Sequence, residues 1–318
     1  MMLPWLIFLL LAAVLLGMDV LIPQKAAAAS ILRATSLCLL PVVMAMAYGI
    51  YLHFAFVAVA ATPDIAAPQP MLTFSTGYLL ELGLSADNVM MFVIILRALK
   101  VPFPEHALVL FWAILLALAV RVALILTGLA MLARFHFLFY FMGAFLLLAG
   151  VLMFFQRHGE RGMAERLIGF SGRWLPISAE SSGRRMLVIS NGRRCMTPLL
   201  LAIVLVGLVD VLFAFDSIPA VFGITNDPLI VTSSNVFAVL ALHRLYFIIA
   251  PLMDRLRFLE AGLAFILLFI GGKMLLPLIS ERIAWLRIGT ATSLLIILGI
   301  LIASLGASML FPKRNISP

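Results

Sequence analysis

The chain has 318 residues, of which 64% are hydrophobic and 11% charged. A soluble domain of this length carries about a quarter charged residues, so a soluble globular fold is excluded. The net charge of +8 does not point to nucleic acid: residues 156–197 alone hold eight arginines and three glutamates, a local +5.

Apolar runs long enough to cross a bilayer, about 20 residues each, recur along the whole chain. They predict spans at 3–22, 36–61, 72–97, 107–133, 135–155, 197–224, 229–252, 258–279 and 288–311. The first run is followed by AAAAS, as in a secretory leader. No positive charge precedes it and Lys25 follows it, so it is read as a retained span. Cys38 and Cys195 lie far apart, and neither a disulfide nor a metal pair is expected of them.

The third span carries Glu81-Leu-Gly-Leu-Ser-Ala-Asp87-Asn88. The sixth carries Asp210 and Asp216, also six residues apart, followed by Ser217 and Pro219. A charge inside a span costs at least ~2.5–3.5 kcal/mol, so such acids are read as functional. Six residues turn a helix by roughly 600°, so the acids of one span do not share a face. Either the helices are interrupted, or each acid serves a different partner. Pro219 lacks an N–H and meets the carbonyl of Phe215, which predicts a kink or break just after Asp216. Gly83 and Ser85 are expected to loosen the third span in the same way.

Orientation follows from the basic residues. With the 156–196 loop in the cytoplasm, sixteen lysines and arginines lie inside and three outside. The positive-inside rule then sets the N-terminus outside and the C-terminus in the cytoplasm. Spans three and six run in opposite directions. The expected fold is therefore an all-α polytopic membrane protein with about nine transmembrane helices and two inverted three-helix repeats. The expected units are 1–71 (helices one and two), 72–155 (first repeat), 156–196 (basic loop), 197–280 (second repeat) and 281–318 (last helix and tail). The loop is rich in Gly, Ser and Arg and reads as a flexible linker, with a basic lipid-binding helix as the alternative.

Two blocks carry a family resemblance. One is ELGLSADNVMMFVIILRALKVP with HALVLFWAILLALAVRVALILTG; the other is DVLFAFDSIPAVFGITNDPLIVTSSNVFAVLALHRLYFII with FIGGKMLL. From about Tyr78 to Leu276 the chain resembles the TerC/Alx family of integral membrane proteins, relatives of the LysE-type exporters. The resemblance implies a bacterial inner-membrane protein acting in manganese(II) efflux or homeostasis, with an association with tellurite resistance and alkaline or metal stress. It also implies that Glu81, Asp87, Asp210 and Asp216 are the acidic site positions, with Asn88 and Asn235 beside them. The family's GLRALYF is replaced by ALHRLYF, which puts His243 and Arg244 where the family has a single arginine.

The residues permit two readings of the acids. Asp87 and Asp216 either ligate a cation or form ion pairs with Arg121 or Arg244. Glu81 and Asp210 are further ligands, or groups that take and release protons. Asn88, Ser217 and Asn235 offer neutral oxygens, and such residues also hold membrane helices together. Lys273 snorkels or pairs with a core acid, and His106 is expected in a loop. An all-oxygen set suits magnesium, calcium or manganese. No phosphate loop or nucleophile elbow is present, so no enzyme is expected, and coupling to protons replaces nucleotide hydrolysis. The expected function is export of a divalent cation, foremost Mn2+, by cation/proton exchange at a midplane acidic site. The cation is the transported substrate, no cofactor is permanently bound, and the bilayer is the only other partner expected; homo-oligomers stay open. The alternatives are a LysE-like small-molecule exporter and a non-transporting scaffold linked to tellurite or metal stress.

Overall fold

The computed structural model describes residues 2–21, 31–59, 69–155, 185–190, 193–250, 252, 256, 258–279 and 288–311. Long helices cover every expected span: α1 (Met2–Leu21), α2 (Ile31–Val59), α3 (Pro70–Ala98), α4 (His106–Arg134), α5 (Phe137–Phe155), α6 (Pro198–Phe222), α7 (Pro228–Ile249), α8 (Leu259–Ile279) and α9 (Thr290–Leu310). The chain is an all-α polytopic membrane protein. Among the described residues, seven helices are long and apolar enough to cross a membrane, whereas α1 and α7 offer shorter apolar stretches, Met2–Met18 and Pro228–Leu242.

Local chemistry sets the helix starts. Pro70, Pro198 and Pro228 each open a helix, where the missing N–H costs nothing. Thr197 Oγ1 caps α6 by accepting from Leu200 N at 3.3 Å. Asp227 Oδ1 caps α7 by accepting from Leu229 N and Ile230 N at 2.9 and 3.0 Å. Each such cap is worth about 1 kcal/mol.

Residues 229–242 of α7 are buried throughout, which makes α7 the central helix. A helix apolar on all sides belongs in the interior. Two of its hydroxyls turn back to their own backbone: Ser233 Oγ donates to Leu229 O at 2.6 Å and Ser234 Oγ to Val231 O at 3.3 Å. α3 packs on α7, α4 on α6, and α5 on α8. α1 docks through Phe8, Ala12 and Leu15 against Tyr48 and Phe237, and Tyr48 donates to Pro4 O at 3.1 Å.

The α5–α8 contact brings backbones together. A Cβ at Gly271 would lie 2.8 Å from Gly143 O and from Leu147 N, and one at Gly150 3.0 Å from Ala264 O. Small residues are how membrane helices pack in this way. Gly271→Ala must push the helices apart, because backbone atoms cannot swing aside. It is expected to cost roughly 1–3 kcal/mol, read as a lower Tm of the detergent-solubilised protein. An unchanged Tm would show that the contact yields freely.

Three expectations change here. The helix does not break at Pro219: α6 runs on to Phe222, and Gly223 N still donates to Pro219 O at 3.1 Å. The proline sits in the last turn, where one missing N–H does not end the helix. α3 is likewise continuous over Gly83 and Ser85. The loop 156–184 lies outside the described residues, but its end is no linker: β1 (Leu187–Ser190) pairs antiparallel with β2 (Arg193–Met196). β-Branched Val188 and Ile189 before Asn191-Gly192 form a hairpin signal that outweighs the loop's composition.

Candidate functional site

One guanidinium of the helical core is fully enclosed. Arg121 on α4 and Glu81 on α3 are both 0% exposed, and Asp210 on α6 is 1% exposed. Asp210 accepts a fork: Arg121 Nε donates to Oδ2 at 3.0 Å and Nη2 to Oδ1 at 3.2 Å. Arg121 Nη1 donates to Glu81 Oε1. The same nitrogen reaches Ser217 Oγ on α6 and Asn235 Oδ1 on α7, both at 3.4 Å. Asn88 Nδ2 donates to Asp210 Oδ1 at 3.4 Å, and Ser85 Oγ to Glu81 Oε1 at 3.3 Å.

Helix geometry explains which residues meet. Glu81, Ser85 and Asn88 are spaced i, i+4, i+7, and Asp210 and Ser217 are spaced i, i+7. Seven residues turn a helix by roughly 700°, almost back to the start, so each set forms one face. Asp87 and Asp216 fall one residue short of that face, turned away by about 100°. Asp216 is accordingly half-buried and among the described residues forms no ion pair, although it lies within electrostatic range of Glu81 and Arg121. Asp87 lies on α3 and His243 on α7, but their side chains are outside the described residues.

Of the two readings left open for the acids, the structure shows ion pairing with Arg121 by Glu81 and Asp210, and among the described residues not by Asp216. Two carboxylates against one guanidinium leave this cluster at a net charge of −1. It is not saturated: among the described residues, Glu81 Oε2 and Asn235 Nδ2 are buried without a hydrogen-bond partner. Tyr78 OH and Thr232 Oγ1 are too. Each sits three residues before a site residue, Tyr78 before Glu81 and Thr232 before Asn235. That helical spacing was the available signal, and the sequence reading did not use it.

The other expected residues lie elsewhere. Arg244 is buried on α7. Lys273 on α8 pairs with no acid among the described residues; its Nζ donates to Ser293 Oγ, near the start of α9, at 3.0 Å. His106 is no loop residue. It begins α4, buried, with Nε2 at 3.0 Å from Val101 O and Nδ1 at 3.0 Å from Tyr246 OH. The carbonyl can only accept, so Nε2 carries the proton, and in the neutral ring Nδ1 accepts from Tyr246.

In chemical terms the cluster offers two carboxylates, two amides and two hydroxyls, all oxygen donors, with no sulfur and no imidazole. No group of three or more His, Cys, Asp or Glu among the described residues is assembled to hold a metal. As it stands, the cluster holds its own cation.

Fold and site together define a polytopic helical membrane protein with a charged, oxygen-rich core. Its sequence from residue 66 to 315 matches the model of the integral membrane protein TerC family, and the chain belongs to that family. It is 43% identical over 244 residues to an uncharacterized membrane protein of Myxococcus xanthus, covering 76% of this chain and 75% of that one. It is 35% identical over 298 residues to Alx of Escherichia coli K12, named as a membrane-bound redox modulator, covering 93% and 90%. It is 36% identical over 243 residues to the chloroplast thylakoid membrane protein TERC of Arabidopsis thaliana, covering 76% of this chain and 61% of that one. No solved structure matches.

Proposed function

We propose that this protein exports a divalent cation, with Mn2+ as the foremost substrate, across the bacterial inner membrane, in exchange for protons. The observation that carries this reading is the pair of buried carboxylates, Glu81 and Asp210, on separate helices, with the hydroxyl and amide side chains of Ser85, Asn88, Ser217 and Asn235 around them. Hard cations take such a set, and manganese is the transition metal that carboxylate and carbonyl oxygens suit. Membership of the TerC family fits the reading.

In this reading α3–α5 and α6–α8 are inverted repeats, and all nine helices cross, with the N-terminus outside and the C-terminus in the cytoplasm. The packing supports it. If α3, α4 and α5 correspond to α6, α7 and α8, the α3–α7 and α4–α6 contacts exchange, and the α3–α6, α4–α7 and α5–α8 contacts map onto themselves. Glu81 and Asp210 become equivalent positions, as do Asn88 and Ser217. In many secondary transporters the substrate and ion sites lie near the midplane, at the interface between such repeats.

The test is cellular manganese. Expression in a manganese-sensitive bacterium is expected to raise the tolerated manganese and lower the cell content several-fold; an unchanged content would end the proposal. The name of the Alx relatives brings in a second reading, a redox role. The thiols that could serve it are Cys38 on α2 and Cys195 on β2. A manganese effect that vanished on changing both to serine would favour that role.

A further inference from the structure

We propose that Arg121 is the tethered counter-ion of the empty carrier, occupying the place the transported cation takes. This rests on the export reading and says how the site of that reading is filled and emptied. The guanidinium touches both carboxylates and two of the neutral oxygens, from Glu81, Asp210, Ser217 and Asn235. Asn88 and Ser85, the remaining polar groups, hold the carboxylates in place. A divalent ion binding the same oxygens would need the position of Nη1.

Charge forbids joint occupancy. The site is sealed, with Arg121 and Glu81 at 0% exposure, so water does not screen it. Guanidinium and divalent ion together would place +3 against −2 in a low-dielectric interior, where like charges at contact repel strongly. The cation therefore enters as Arg121 leaves. Glu81 Oε2, buried and without a hydrogen-bond partner among the described residues, is the independent sign that the cluster is built for more than the arginine. An ion pair built for the arginine alone would engage both oxygens of Glu81, because leaving a buried polar atom unpaired costs about 1–3 kcal/mol. Asp216, half-buried and within electrostatic range, is the described carboxylate that can receive the displaced guanidinium.

The experiment uses full-length protein in detergent, with manganese chloride as the probe, titrated calorimetrically and by thermal shift. Arg121→Gln is expected to bind Mn2+ at least about tenfold more tightly than wild type, since the ligand no longer competes with a resident cation. Its Tm is expected to rise with Mn2+ by more than that of wild type. If Arg121→Gln does not fold, Glu81→Gln is compared with Glu81→Gln/Arg121→Gln, and removing the arginine should again tighten binding. Equal or weaker binding without Arg121, in whichever comparison folds, overturns the proposal while leaving the export reading intact. No Mn2+ binding by wild type or any variant would sink the export reading and this one with it.

Discussion

Glu81→Gln/Asp210→Asn is expected to be lost from the membrane, whereas either single change is expected to be retained. The cluster holds two carboxylates for one guanidinium, so removing one still leaves Arg121 with an anionic partner. Each single change should cost about 1–3 kcal/mol in weakened hydrogen bonds. Removing both strands a fully buried cation, and a broken buried pair costs about 3–5 kcal/mol on its own. The double change should therefore exceed the sum of the singles, the signature of residues sharing one partner. Membrane abundance and Tm of the four proteins measure this. Additive losses would mean that the two acids do not share Arg121 as their partner, and absence of either single variant would mean that Arg121 depends on both acids at once. Both single variants should still lose manganese efflux, since one carboxylate cannot balance a divalent ion.

The helices were legible because bilayer-length apolar runs permit little else. Their starts were legible too, at Pro70, Pro198 and Pro228. The site was half legible. Four intramembrane acids marked the right helices, and Arg121 was named as a partner. Asp87 and Asp216 stand first among the expected ligands, although six residues already put the two acids of each helix on different faces. Phase alone separates the two acids of each helix, but which of them faces the core depends on how α3 and α6 are rotated, and that is set by packing. The i, i+7 pairs Glu81–Asn88 and Asp210–Ser217 were the better clue. A buried face needs polar company for its charge, and each of these acids has it one face-repeat further on.

Other misreadings share one cause, the neglect of position within an element. Pro219 would break a helix at its middle, but it stands three residues from the end of α6. His106 follows a turn of 3-10 helix, Phe103–Glu105, and so begins α4 rather than sitting in a loop. Its partner Tyr246 is 140 residues away in sequence, beyond any local signal. The α7 helix reads weakly as a span because Thr232 to Asn235 interrupt its apolar run. The same polar residues belong where the bundle encloses the helix on all sides.

Asp216→Asn is expected to leave membrane abundance and Tm near wild type while cutting manganese efflux at least about tenfold, the population shift that loss of a charged acceptor imposes. Abundance should hold because Asp216 is half-buried and outside the ion pair, so its charge supports no other buried charge in this conformation. Efflux should fall because a displaced Arg121 needs an anion, and an amide at this position cannot supply one. Asp216→Glu keeps the charge and should retain part of the flux, which separates charge from shape. Binding divides the remaining possibilities. If Asp216 receives the arginine, Asp216→Asn weakens Mn2+ binding in the wild-type background but not in Arg121→Gln, where no arginine has to move. If Asp216 is itself a ligand, the loss is the same in both backgrounds. Normal efflux by Asp216→Asn would remove this carboxylate from the path altogether, and the guanidinium would then have no described acid to move to.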